Sequence, residues 1–302
     1  MIKVLYCPQM QDLAHKICQS SEMCVPGEIS WNYFQDGFPD LKIQEAVGLG
    51  NAHVVFLASM DSPAEIFSQL AVIYALPRLA VRSLKVFLPY FPTGTMERVD
   101  EEGEVATAAT LARMLSQIPG TMSGPVQIII YDIHALQERF YFSDHVVPRL
   151  ETAIPLLLER MQGMQDVAVA FPDEGAWKRF GRMFKDYPLI TAHKVRGKQG
   201  RSVIIQEGEP RGRNVIIVDD LVMTGGTLLK CRQALKEAGA KSVSAYVTHG
   251  VFPRKSWKRF LDQGFERFWI TDSCPETARQ VEGTGPFEVL SLAMDISRKL
   301  VS

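Results

Sequence analysis

The sequence predicts an α/β protein of two domains, each a mainly parallel sheet flanked by helices. Three observations carry that expectation. Strand-like runs alternate with helical ones along the chain, the pattern of strands joined by crossover helices. A length of 302 residues is long for one core and suits two domains of ordinary size. Each half also holds a strand that ends in acid, Ile128-Ile129-Ile130-Tyr131-Asp132 and Val215-Ile216-Ile217-Val218-Asp219-Asp220, which reads as a weak internal duplication.

Composition narrows the class. Hydrophobic residues make up 46% and charged residues 22%, as in an ordinary globular protein. A formal net charge of −1 gives no reason to expect nucleic acid or an acidic membrane as partner. The five cysteines (Cys7, Cys18, Cys24, Cys231, Cys274) are odd in number and scattered, without zinc spacing, and read as reduced thiols. The start, MIKVLYCPQM, lacks a cationic segment followed by an apolar one, and no stretch is long and apolar enough to span a bilayer. The expectation is a soluble, cytoplasmic protein.

Taken in order, the strand-like runs are Ile2–Leu5, Ala52–Ala58, Leu84–Leu88, Gln127–Tyr131, Val167–Phe171, Val203–Ile205, Val215–Val218, Ser242–Val247 and Phe268–Thr271. Helical patterns lie between them over Ala64–Leu79, Val105–Gln117 and Leu228–Ala238. The seam between domains is expected near residues 143–155. In the first half, Phe34-Gln35-Asp36-Gly37-Phe38-Pro39 is a turn flanked by aromatics and by itself reads as a surface hairpin. The stretch Leu88–Arg98 leaves its strand through two prolines and a glycine, and brings Arg98 to the carboxyl end, within reach of a nucleotide's phosphates. A solvated loop arginine fits that stretch equally well. Asp132 and His134 follow the next strand; two apart on an extended chain, they face the same way and suit a metal–phosphate contact.

In the second half, Phe171 to Arg179 sits after a strand and joins a carboxylate, a small turn and a Lys-Arg pair, a site for a diphosphate with its magnesium. Between Ile190 and Ser202, Lys194, Arg196, Lys198 and Arg201 gather among two glycines, either an exposed hairpin tip or a cationic flap that closes on phosphates. Most informative is Asn214 to Leu229, NVIIVDDLVMTGGTLL. Val215–Val218 reads as a strand buried on both faces. Two carboxylates follow at the sheet edge where open α/β sheets bind ligands, then a Thr-Gly-Gly-Thr turn opens a helix. Free backbone N–H groups and the positive end of a helix dipole make such a turn a phosphate site. The paired carboxylates suit vicinal hydroxyls or magnesium. Together they describe a sugar-phosphate site, although the glycines alone would fit an ordinary βα turn.

The segments FQDGFP, LPYFPTGTMER, DIHALQERFYF, FPDEGAWKRF, KVRGKQGR, VIIVDDLVMTGGT, AYVTHGVFPRKSW and WITDSCP, in this order, resemble the ribose-phosphate diphosphokinases, closest to the class II branch known from plants. The resemblance runs from about Trp31 to Leu300. It implies two phosphoribosyltransferase-like (type I) domains, residues 1–148 on the ATP side, without a sugar-phosphate cradle, and residues 149–302 with the ribose 5-phosphate site and a catalytic flap. It implies that Asp219 and Asp220 hold the ribose hydroxyls, and that Met223, Thr224, Gly225, Gly226 and Thr227 hold the 5-phosphate. A diphosphate loop falls on Asp173, Glu174, Gly175, Ala176, Trp177 and Lys178. Phe34, Asp36, Arg98 and His134 would bind ATP, with Asp132, His134 and Asp173 near Mg2+. Lys194 and Arg196 match the catalytic flap.

The implied reaction moves a diphosphoryl group from magnesium-ATP to ribose 5-phosphate, in a homo-oligomer (dimer or hexamer) that shares the ATP site between subunits. No nucleic acid or membrane partner is implied. Class I members carry Arg-Gln-Asp-Arg where this chain has Thr95-Met96-Glu97-Arg98, a glutamate at Phe38, an acid at Met223 and an arginine within Val47-Gly48-Leu49-Gly50. These departures predict relaxed nucleotide choice and phosphate independence. Two other readings use the same cradle: a type I phosphoribosyltransferase acting on a base, and a non-catalytic regulatory subunit.

Overall fold

A computed structural model describes residues 1–197 and 200–300, the side chains of residues 194–202 excepted. The chain forms two units, Met1–Thr152 joined by the residues from Ser291 onward, and Ala153–Leu290.

The first unit opens with β1 (Ile2–Tyr6) and α1 (Gln11–Gln19), whose Asp12 and Lys16 sit at the dipole ends that favour their charges. It continues through β2 (Cys24–Pro26), β3 (Ile29–Tyr33), β4 (Pro39–Ile43) and β5 (His53–Leu57). Helix α2 (Pro63–Arg78) starts where Ser62 accepts from the Glu65 amide at 3.2 Å, with Pro63 pre-set for the first turn. Then come β6 (Ser83–Phe87), α3 (Thr107–Leu115), β7 (Val126–Tyr131) and β8 (Val146–Glu151). Six strands make one parallel sheet in the order β2-β1-β5-β6-β7-β8, and β3 and β4 form a separate antiparallel hairpin. Val54, Phe56, Val86, Ile128 and Ile130 pack with Ile73, Leu76, Leu111 and Leu115 in its core. Trp31 and Leu41 root the hairpin on that core.

The second unit comprises α4 (Ile154–Met161), β9 (Val167–Phe171), α5 (Glu174–Phe180), β10 (Leu189–Gly197), β11 (Gly200–Glu207), β12 (Asn214–Val222), α6 (Gly226–Glu237), β13 (Ser242–Gly250), β14 (Phe268–Thr271), α7 (Pro275–Val281) and β15 (Phe287–Leu290). Its seven strands run β11-β10-β9-β12-β13-β14-β15, parallel except for β10 with β11. The run Val215–Val218 is buried on both faces as expected: Val215 and Ile217 belong to one core layer, Ile216 and Val218 to the other. The strand itself runs further. It stays paired with β13 through Asp219↔Val247 and Val222↔Gly250, so both aspartates lie inside the strand and not beyond it.

The expected boundaries of 1–148 and 149–302 are corrected in two places. A cut after residue 148 would split β8, which pairs with β7 as far as Tyr131↔Glu151. The last helix, α8 (Ala293–Leu300), belongs to the first unit. Tyr131 donates to Asp295 Oδ2 at 2.6 Å, Lys299 pairs with Asp295 (2.8 Å) and Glu151 (3.5 Å), and Lys85 Nζ donates to the Lys299 carbonyl at 2.9 Å. The helix's buried Ala293, Ile296 and Leu300 explain the return, since α8 packs against α1 and Ser297 Oγ donates to the Ile17 carbonyl there.

Candidate active site

The site grows from the β12–α6 junction. Asp219 is half-buried and Asp220 is 6% exposed. The Asp220 amide donates to Asp219 Oδ1 (3.0 Å) and the Leu221 amide to Asp220 Oδ1 (2.8 Å). Burial first, then the neighbouring charges of Asp220 and Asp173, hold the Asp219 carboxyl well above the usual carboxylate range. Three carboxylates gathered at one sheet edge favour a cation or a set of hydroxyl donors.

Beyond the strand the chain turns through Met223 and Thr224 to Gly225, which caps α6 with φ +77°. No other residue fits there, because a Cβ would lie 2.1 Å from the Phe260 ring and φ is in the left-handed region. Among the described residues the amides of Thr224 to Thr227 have no hydrogen-bond partner in the protein. They line an open pocket of about 360 Å3 together with Asp219, Val203 and Lys230. Donors at the start of a helix of this length, with a lysine one turn on, suit an anion.

The expected diphosphate loop takes a different form. Asp173 is the N-cap of α5, its Oδ1 accepting from the Ala176 amide at 3.0 Å. Glu174, Gly175, Ala176, Trp177 and Lys178 are therefore helical rather than an open turn, since an Asp at that position satisfies the first amides itself. Lys178 pairs with Glu174 at 2.8 Å, an exposed i,i+4 pair. Trp177 is half-exposed and, with Glu174, His193 and Glu207, lines a second pocket of about 240 Å3. Lys194 and Arg196 are carried by β10, but their side chains lie outside the described residues.

In the first unit, Phe34 and Asp36 sit at the tip of the β3–β4 hairpin. Phe34 is 57% exposed, and Asp36 Oδ1 accepts from its own turn at the Phe38 amide, 3.1 Å. The loops after β6 and β7 meet at the carboxyl edge of the sheet. A Cβ at Gly94 would lie 3.5 Å from His134 Cβ, and the Tyr141 hydroxyl donates to the Glu97 carbonyl. Arg98, on the first of these loops, is exposed and pairs with Asp100 at 3.4 Å. His134 is exposed, while Asp132 is buried with φ +35°. The structure thus brings the Arg98 loop and His134 together, and leaves Phe34 and Asp36 at an exposed tip.

Among the described residues no three His, Cys, Asp or Glu side chains form a group that could hold a metal ion unaided. Magnesium is commonly held by one or two carboxylates with substrate phosphates completing its shell, so the acidic edge at Asp173 and Asp219 suits a magnesium ion that arrives on a nucleotide. Sequence reasoning missed Lys230, Glu138, Ser256 and Arg259. Lys230 was legible, being one turn into a helix whose start was read as a phosphate site. Glu138 is fully buried and accepts from the Ala135 amide at 2.9 Å, a role no local sequence pattern marks.

Two family models match the chain, the N-terminal domain of ribose phosphate pyrophosphokinase over residues 2–118 and a phosphoribosyl transferase domain over residues 184–273. Ribose-phosphate pyrophosphokinase 3, mitochondrial, of Spinacia oleracea is 52% identical over 307 residues, covering 98% of this chain and 76% of that protein. Ribose-phosphate pyrophosphokinase 4 of Arabidopsis thaliana is 51% identical, covering 99% and 91%. The chain belongs to the ribose-phosphate pyrophosphokinase family. Its high identity to plant members sets it in the plant-type branch of that family. A crystal structure of phosphoribosylpyrophosphate synthetase from Mycobacterium smegmatis superposes with a TM-score of 0.84 at 22% identity, covering 99% of this chain and 97% of that one, and establishes the shared fold. The sheets described above are therefore two phosphoribosyltransferase-like units of a pyrophosphokinase. The reading as a base-modifying phosphoribosyltransferase leaves the N-terminal match unexplained. The spinach relative's mitochondrial label sits beside a chain in which, among the described residues, no helix is long and apolar enough to cross a membrane.

Proposed function

We propose that the chain is a ribose-phosphate pyrophosphokinase that moves the β,γ-diphosphoryl group of magnesium-ATP to the C1 hydroxyl of ribose 5-phosphate. The C1 oxygen bonds to the β-phosphorus, the bond from that phosphorus to the α,β-bridging oxygen breaks, and AMP leaves as phosphoribosyl diphosphate forms. The hydroxyl's proton passes to solvent. The unpartnered amides of Thr224–Thr227 carry this reading, because they hold a dianionic phosphate on a fixed frame. Asp219 and Asp220 accept from the ribose hydroxyls and orient C1.

Arg98 and His134 engage the ATP phosphates, while Phe34 stacks on the base and Asp36 hydrogen-bonds it across a subunit boundary of a dimer or hexamer. Lys194 and Arg196 act on charge at the moving phosphorus. Magnesium would lie on the phosphates near Asp173, Asp132 and His134 and supply charge neutralisation there. With no cation in Val47–Gly50, activity needs no inorganic phosphate. The protein works in a reducing compartment, with all five cysteines outside any disulfide, and the cytoplasm is the assignment we propose. Incubation with magnesium-ATP and ribose 5-phosphate should yield AMP and phosphoribosyl diphosphate in equal amounts. A regulatory subunit would yield neither, and a phosphoribosyltransferase would instead release diphosphate from phosphoribosyl diphosphate and a base.

A further inference from the structure

The segment after β13, residues 251–260, touches three successive carbonyls, those of Val222, Met223 and Thr224, at the entry to the phosphate cradle. The amides of Val251 and Phe252 donate to the Val222 carbonyl, both at 3.2 Å. Ser256 Oγ donates to the Met223 carbonyl at 2.8 Å, and Arg259 Nη1 donates to the Thr224 carbonyl at 2.7 Å. Phe260 lies under Gly225, where a side chain would need to be.

This pattern has a geometric consequence. In a trans peptide the carbonyl of one residue and the amide of the next point in opposite directions, and no cis bond occurs among the described residues. Holding the Met223 carbonyl against Ser256 turns the Thr224 amide the other way. Holding the Thr224 carbonyl against Arg259 does the same for the Gly225 amide. Both amides are left facing the pocket with no protein partner. The segment reaches this position through three residues in the left-handed region, Phe252 (φ 43°), Arg254 (φ 54°) and Lys255 (φ 59°). Buried Phe252 and Phe260 fix it, their ring centroids 5.5 Å apart and both stacked edge-on against Phe268.

We infer that residues 251–260 form a clamp that aims the cradle's amides, with Ser256 and Arg259 as positioning residues for ribose 5-phosphate. They act through the carbonyls of Met223 and Thr224. The inference rests on the reading of the cradle as a sugar-phosphate site. Ser256 carries no charge, so whatever its removal costs in binding cannot come from lost attraction to a phosphate.

The test uses the full chain and four proteins: wild type, Ser256→Ala, Ser256→Thr and Arg259→Met. Calorimetric titration with ribose 5-phosphate and steady-state kinetics are run on each, with circular dichroism as a folding control. Losing the neutral anchor should raise the ribose 5-phosphate Kd and KM about threefold to tenfold, and losing the charged one on the order of tenfold or more. The KM for ATP should stay within about twofold and kcat at saturating sugar phosphate within about threefold, because a positioning defect is overcome once the ligand is bound. Ser256→Thr, which keeps the hydroxyl, should restore wild-type KM. Wild-type affinity in folded Ser256→Ala and Arg259→Met would overturn the clamp, as would an equal loss for both substrates or unfolding without KM change in the folded fraction. A wild-type protein that binds no ribose 5-phosphate would instead overturn the sugar-phosphate reading beneath it.

Discussion

The carboxyl edges of the two sheets begin alike and end differently. In the second unit, β12 passes through paired aspartates into a short turn with two glycines and straight into a helix, so its amides stay free. In the first unit, β7 passes through Asp132 at φ +35° into residues 133–138, where buried Glu138 takes up the Ala135 amide within the loop. One edge offers backbone donors to a ligand, while the other spends at least one of its own internally and presents side chains such as His134 and the neighbouring Arg98. The lesson concerns phosphate chemistry. A rigid cradle of amides suits a phosphate that stays put, and movable side chains suit a chain of phosphates that must be gripped, cut and released.

The contrast can be broken at either edge. The largest effect is expected from Lys194→Ala, since removing one preorganised charge from a developing transition state costs on the order of 10²–10³ in kcat. The ribose 5-phosphate Kd should stay within about threefold in calorimetry; a raised Kd with normal kcat would make the β10–β11 hairpin a binding clamp. Next comes Gly225→Ala, whose methyl collides with Phe260 at a left-handed φ. Loss of the cradle's fixed amides should weaken ribose 5-phosphate by on the order of a hundredfold, while ATP KM changes little; about two charge-assisted hydrogen bonds account for that factor.

Arg98→Met should do the reverse, raising ATP KM about tenfold or less, because this exposed cation already pairs with Asp100. Steady-state kinetics with each substrate varied would read both. The smallest effect is one of stability. The folded state raises the Asp219 pKa, so it binds protons more tightly than the unfolded chain does. Without ligands, stability should therefore fall as pH rises from the ordinary carboxylate range to that raised value, and level off above it. Asp219→Asn should abolish this slope and raise the apo Tm at neutral pH, by about 2–4 °C for each kcal/mol of repulsion relieved. Calorimetric melts across pH measure it, and a lower Tm in the variant would refute the assignment.

What could be read from the sequence was what is contiguous in it. The strand, aspartates and glycine turn of residues 214–229 carry their own periodicity and turn chemistry, so both the parallel sheet and the glycine turn into α6 were legible. The clamp was not, since Arg259 reaches Thr224 across 35 positions and no local pattern marks that contact. The helical form of residues 174–178 was hidden because a carboxylate before a small turn is also what a helix cap looks like. The extension of β12 past Asp220 went unseen because pairing with β13, and not local propensity, sustains it. The strand β2 is short and β3 and β4 are half-exposed, so the turn between β3 and β4 marked their hairpin while their own alternation did not.

The return of α8 sets the order in which the chain can be completed on the ribosome. The second unit is spliced, in sequence, between β8 and the helix that closes the first. Tyr131, Lys85 and Glu151 are synthesised early but meet Asp295 and Lys299 only when residues 293–300 emerge. The second unit, continuous in sequence, has all its parts earlier and can fold while the first still waits. A fragment ending near Thr152 therefore leaves the buried Tyr131 hydroxyl without its acceptor and α1 without its cover. Severing the chain after Thr152 would leave the first unit without the helix that completes it.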